Sequence, residues 1–247
     1  MVEEFDLSGK TALVIGAGKS WLEPIAISLL EAGATVIVIN QDKNRMPLCG
    51  GLASTLNQRL KGISVDLLDY RTLNQIAEQE ISNWGKFDIL VNSLNVRFAK
   101  PLIEIDYEEW RKVIDTNLTT IFTACKVFGR YMLKQKAGKI INITTCLGER
   151  GVPNCTAYGA AAGGVVQFTR SLALEWVKSG VTVNAIALGW IADLVEIPEE
   201  RVERYIPMRR YGRPEEFTPL VVYLASPASN YVTGQVYFVD GGAMAHS

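Results

Sequence analysis

The chain reads as a doubly wound α/β protein, a parallel sheet of about seven strands with helices on both faces. Three observations predict this. Short runs rich in Val, Ile and Leu alternate with stretches of helical periodicity from beginning to end. The runs are nearly continuous rather than alternating apolar and polar, as in strands buried on both faces. The 247 residues contain no linker, internal repeat or low-complexity segment, so a single domain over residues 1–247 is expected.

The elements follow from that pattern in order. Thr11–Ile15 is an unbroken apolar strand, Pro24–Ala32 a helical stretch, and Thr35–Ile39 the next strand. Gly51–Leu60 reads as a helix, Ile63–Val65 as a short strand, Tyr70–Trp84 as a helix, and Phe87–Val91 as a strand. A helical zone runs from about Tyr107 to Lys136, followed by strand Lys139–Ile143 and a helix from about Thr156 to Ser179. Val181–Ala185, a helix at Glu215–Ala225 and a last strand at Gln235–Val239 complete a Rossmann-type alternation. Gly189–Pro214 is the one long irregular connection, of a length that is usually functional.

Composition excludes several classes of function. The formal net charge of -1 gives no general pull toward nucleic acid or an acidic membrane, and no apolar run approaches a membrane span. The acidic start, Met1-Val2-Glu3-Glu4-Phe5-Asp6, is the opposite of a secretory leader, so a cytoplasmic protein is expected. His246 is the only histidine, and Cys49, Cys125, Cys146 and Cys155 lack CxxC spacing, so no metal site and no Ser-His-Asp chemistry are expected.

Several strings stand in a telling order. They are Gly9-Lys10-Thr11-Ala12-Leu13-Val14, Gly16-Ala17, Asp66-Leu67, Asp88-Ile89-Leu90-Val91-Asn92, Asn117-Leu118-Thr119 and Ile141-Asn142-Ile143-Thr144. Tyr158-Gly159-Ala160, Val183-Asn184-Ala185-Ile186, Gly234-Gln235 and Asp240-Gly241-Gly242 continue the set. Together they resemble the short-chain dehydrogenase/reductase family along the whole chain. The resemblance implies catalytic positions at Asn117, Thr145 (where the family has serine) and Tyr158, and cofactor positions at Gly16, Asn40, Asp66 and Asn92.

Departures from the family pattern carry the functional expectation. The family's cofactor loop is Thr-Gly-x-x-x-Gly-x-Gly, whereas Ile15-Gly16-Ala17-Gly18-Lys19-Ser20-Trp21-Leu22 puts Ser20 and Leu22 at two glycine positions. Their side chains are expected to project where a phosphate nearly touches the backbone. Ser20 and Glu23 have capping-box spacing, which either occupies the helix start or simply begins the helix. Asn40 replaces the ribose-binding aspartate, with Asp42 close by; Leu94 and Asn95 stand where small residues flank the adenosine; Asp193 replaces a hydroxyl near the nicotinamide half. The family's lysine, four residues after the tyrosine, is Ala162, and Arg170 is the first cation after it. An unassisted phenol of pKa ~10 is only about a thousandth ionised at pH 7, so a base at Tyr158 should lose roughly 10³-fold or more. With Ala162 at that place, the favoured reading of Tyr158 is a partly buried, packed aromatic, and Cys146 and Cys155 read as small buried hydrophobes rather than catalytic thiols.

The leading expectation is therefore a non-catalytic subunit with no cofactor of its own. It would assemble with an active, NAD- or NADP-dependent short-chain paralogue into a mixed tetramer, with a hydroxyacyl-CoA as candidate substrate and without nucleic-acid or membrane partners. The losses are similar in kind to those of the inactive subunit in the (hydroxy(phenyl)methyl)succinyl-CoA dehydrogenase type of this family. One alternative is an active NAD(P)-dependent oxidoreductase with an altered Thr145/Tyr158 relay. Another is a ligand-sensing module, in which Arg201, Arg204, Arg209 and Arg210 meet an anion; in the plainer reading they pair with Glu196, Glu199, Glu200 and Glu203 on a solvated surface.

Overall fold

A computed structural model describes residues 3–17, 21–42, 59–192 and 205–245. Seven strands form one parallel sheet: β1 (Thr11–Gly16), β2 (Thr35–Asn40), β3 (Leu60–Ser64), β4 (Ile89–Ser93), β5 (Gly138–Thr145), β6 (Val181–Leu188) and β7 (Val236–Val239). Their order is β3-β2-β1-β4-β5-β6-β7, so the chain reverses its direction of travel between β1 and β4. Such a switch point opens a crevice at the carboxyl ends of the strands.

The alternation along β1 explains the two layers. Ala12 and Val14 face a core with helix α1 (Leu22–Glu31) and helix α6 (Thr218–Ala225), through Leu29, Val221 and Leu224. Leu13 and Ile15 face the other core, against helices α2 (Tyr70–Trp84), α4 (Thr120–Gln135) and α5 (Thr156–Trp176). Helix α3 (Tyr107–Ile114) lies outside this second layer, started by a capping box between Asp106 and Glu109. Asp69 caps α2 by accepting the Arg71 and Thr72 N–H groups, and Gly85 ends it at φ 77°.

Several predicted boundaries move for local reasons. The helical zone near Tyr107 breaks into α3, a π turn at Asp115–Thr119 and α4, which ends at Lys136 with φ 55°. Leu60, expected to close a helix, opens β3 instead, Arg59 lies in the turn before it, and residues 51–58 fall outside the described residues. Phe87 precedes β4 and packs edge-on against Phe128 and Tyr131. In the irregular connection, Ile191 bridges Gly212, and Arg210 pairs with Glu216 at 2.7 Å. That pairing differs from the glutamates expected for it, which lie outside the described residues together with Arg201, Arg204 and Asp193.

Candidate active site

Tyr158 sits in the first turn of α5, only 4% exposed. A 3-10 turn at Cys146–Gly148 carries the end of β5 against it. Gly148 makes this approach possible, because a Cβ there would stand 2.9 Å from the carbonyl carbon of Ala162. Thr145 is thereby placed within hydrogen-bonding reach of the Tyr158 hydroxyl, while its own Oγ1 accepts the Leu147 N–H at 3.4 Å. The Tyr158 hydroxyl donates to Asn95 Oδ1.

Asn117 completes the cluster from the π turn, and its partners are backbone groups. Its Oδ1 accepts the Val96 N–H at 2.7 Å, and its Nδ2 donates to the carbonyls of Val96 at 2.9 Å and Val113 at 3.1 Å. Asn117 thus fixes the segment that follows β4, and with it Asn95. The structure places Thr145 beside Tyr158 and Asn95 on the tyrosine hydroxyl, while Asn117 reaches the pair only through the backbone of Val96, next to Arg97.

Burial pushes the Tyr158 phenol up to about 12; the positive charge of Arg97 and the Thr145 hydroxyl act in the opposite sense but do not win. Burial also raises the thiols of Cys146 and Cys155, which makes both poor nucleophiles. A recess of about 340 Å³ opens between residues 147–152 and the first turn of α5, beside this cluster.

The predicted cofactor positions lie at the switch point. Gly16 is in register with Asn40 on one side and Ser93 on the other. Asn40 donates to the Asp42 carbonyl at 3.2 Å, and the exposed Asp66 accepts the Leu68 N–H at 3.0 Å. Asn92 turns into the sheet framework, where its Nδ2 donates to Asn142 Oδ1 at 2.8 Å. The buried Asn92 Oδ1 and Ser93 Oγ are left without hydrogen-bond partners, as expected where a polar ligand belongs.

Two expected obstructions to a dinucleotide are absent. Leu22 is 3% exposed and packs into the core beside Leu29 and Phe217, so its bulk points away from the crevice. Trp21, stacked edge-on against Phe217 at 5.7 Å, caps α1 without any side-chain hydrogen bond, and Glu23 is exposed. Glu23 therefore makes no cap at the described start of α1, in keeping with the reading in which it simply begins the helix; Ser20 lies outside the described residues. Leu94 is likewise turned into the core with Leu13 and Ile121, and Asn95 is engaged by Tyr158.

Comparisons with known proteins agree with this geometry. The sequence family described as Enoyl-(Acyl carrier protein) reductase matches residues 16–244. The chain is 36% identical over 241 residues to a 3-oxoacyl-(acyl-carrier-protein) reductase of Synechocystis sp., covering 96% of this chain and 97% of the relative. It is 35% identical over 255 residues to a 2-dehydro-3-deoxy-D-gluconate 5-dehydrogenase of Pseudoalteromonas atlantica, covering 99% of each. Among solved structures, a gluconate 5-dehydrogenase from Burkholderia cenocepacia in complex with NADP and tartrate superposes with a TM-score of 0.88. It shares 27% identity, with 99% of this chain and 98% of that one covered.

These findings overturn the expectation of a degenerate pseudoenzyme subunit. Similarity to enzymes extends along nearly the whole chain, and the heterotetramer expected on the strength of inactivity loses its basis. The expectation that any cofactor resides only in a partner is corrected for the same reason, and because Leu22 and Leu94 point into the core.

Proposed function

Since the chain belongs to the short-chain dehydrogenase/reductase family, we propose that it is an active NAD(P)-dependent oxidoreductase working as a carbonyl reductase, with a 3-oxoacyl thioester as substrate class. The observation that carries this reading is the buried, protonated Tyr158 hydroxyl beside the Thr145 hydroxyl.

The missing lysine decides which protonation state of Tyr158 rests at neutral pH, although at any one pH the equilibrium constant fixes the ratio of the two directions. Oxidation of an alcohol needs Tyr158 as a base, and a phenol of pKa about 12 is almost never ionised at neutral pH. Reduction needs Tyr158 as an acid, and there the high pKa keeps the proton in place until it is required. Transfer to an alkoxide, a stronger base than a phenolate, is downhill. Whatever rate is lost at Ala162 falls on reduction and oxidation alike, and the resting state of Tyr158 is the acid form that reduction uses.

Thr145 Oγ1 orients the substrate carbonyl oxygen toward the Tyr158 hydroxyl, and Tyr158 Oη gives its proton to that oxygen. Asn117 positions Asn95 through the backbone of Val96, and Asn95 Oδ1 holds the tyrosine hydroxyl before the substrate arrives. A nicotinamide dinucleotide, when bound, supplies the hydride. Gly16, the start of α1, Asn40, Asp66 and Ser93 are the residues that would hold it, which suits the open helix start and the unpartnered hydroxyl at the switch point. Among the described residues no helix is long and apolar enough to cross a membrane. The unpaired Cys125, Cys146 and Cys155 among the described residues support a cytoplasmic enzyme.

Titration of the purified chain with NADH and NADPH, followed by tryptophan emission, tests the reading. Trp21 lies beside the loop and should report saturable micromolar binding of one of them. A featureless titration up to millimolar concentrations of both would overturn the proposal.

A further inference from the structure

When Tyr158 releases its proton, a phenolate remains in a buried pocket, and an unpaired buried charge is strongly disfavoured. Ala162 offers it nothing. Among the described residues, other cations around the cleft are committed elsewhere: Lys100 to Glu109 at 2.7 Å, Arg170 to Glu149 at 2.8 Å, and Arg150 to the carbonyl of Ala243.

Arg97 is different. It lies two residues after Asn95, which holds the Tyr158 hydroxyl, and next to Val96, whose N–H and C=O are both clamped by Asn117. The Lys100 N–H donates to the Asn154 carbonyl at 2.7 Å, so this segment is also tied to the loop leading into α5. Phe98 packs against Ala157 and Tyr158. Arg97 is half-buried, and among the described residues no carboxylate pairs with it.

We propose that Arg97 is a positioning residue of this site: carried on the segment whose backbone Asn117 clamps and whose Asn95 holds the tyrosine hydroxyl, its guanidinium stabilises the phenolate left at Tyr158 after proton transfer. The inference rests on the reductase reading above for its purpose, though not for its test. Among the described residues, the polar and titratable groups that bear on Tyr158 are Asn95, which accepts from its hydroxyl, Arg97 from the segment after β4, Thr145 and Cys146 from the end of β5, and Cys155 from the loop before α5. Arg97 is the only cation among them. In the step, the Tyr158 O–H bond breaks as an O–H bond forms on the substrate oxygen. The negative charge moves to the phenol oxygen, where Arg97 receives it.

The test is a fluorine resonance titration with a trifluorinated tyrosine in place of Tyr158, which lowers the phenol's own pKa into a range where the fold persists. In Arg97→Met the midpoint should rise by about one pH unit or more, and in Arg97→Lys it should stay close to that of the parent. Arg97→Gln, a second neutral side chain, decides the matter if the methionine variant does not fold. An unchanged midpoint in a folded neutral variant overturns the role of Arg97. The titration needs neither nucleotide nor turnover, so absence of reductase activity would sink the functional reading and leave this result legible. In the active protein, kcat for reduction should fall about tenfold in Arg97→Met, with nucleotide affinity unchanged.

Discussion

Raising the pH from 7 to 9 should leave carbonyl reduction by this chain unchanged while speeding the reverse oxidation about a hundredfold. Reduction of a ketone takes up one proton, so the ratio of the forward and reverse kcat/KM values must fall about tenfold per pH unit whatever the enzyme. Which direction carries the change depends on the proton on Tyr158. With its pKa near 12, the phenolate fraction is on the order of 10⁻⁵ at pH 7 and 10⁻³ at pH 9. The acid form needed for reduction is saturated throughout this window, whereas the base form needed for oxidation rises in proportion to hydroxide. Initial rates of nucleotide consumption with a short 3-oxoacyl thioester, and of nucleotide formation with the corresponding 3-hydroxyacyl thioester, measure both limbs. The refuting result is the mirror image: reduction falling about tenfold per unit above pH 7 with oxidation flat. That pattern would place the phenol's titration near neutrality and remove the argument that burial dominates it.

Further expectations concern individual side chains. Tyr158→Phe should lower reduction by roughly 10²- to 10⁴-fold while nucleotide binding, followed by fluorescence, is retained. The same variant should resist alkali better. The folded pKa of Tyr158 lies above its unfolded value, so the stability it lends is fully present below about pH 10 and is lost as pH rises through about 12. The loss approaches about 3 kcal/mol in the wild type and is absent from Tyr158→Phe in parallel denaturant titrations. Leu22→Ala should cost about 2–4 kcal/mol, read from the urea midpoint, because Leu22 is a core residue; affinity for the nucleotide should not improve. Asn142→Ala removes the link between Asn92 and Thr169, leaving buried groups of β4 and α5 unpaired, and should cost about 1–3 kcal/mol in the same assay.

Much of the fold was legible because burial on both faces writes itself into the strands as continuous Val/Ile/Leu runs. The break between α3 and α4 was not, since apolar residues recur at helical spacing straight through the π turn at Asp115–Thr119. Within the site, the ordered strings pointed to Asn117, Thr145 and Tyr158 as candidates. The error lay in assigning direction to side chains from position alone. Leu22 and Leu94 occupy places where a family glycine or alanine stands, and sequence does not show that both rotate into the core. Arg97 went unnoticed because its proximity to Tyr158 depends on a tertiary clamp, Asn117 on Val96, between segments 21 residues apart. A sequence signal did exist in the form of an arginine a few residues after β4, close behind the anomalous Asn95. The expected loss of activity also read Tyr158 as a base, although the buried phenol rests as the acid that reduction uses.

The most direct test is turnover by the homogeneous chain, purified without any other dehydrogenase, supplied with NADH or NADPH and a short 3-oxoacyl thioester. Stoichiometric conversion to the 3-hydroxy product, abolished or nearly so in Tyr158→Phe, is the predicted outcome. An inert wild-type chain, or one whose rate is indifferent to the loss of that hydroxyl, would contradict the assignment of Tyr158 as the proton donor of a working reductase.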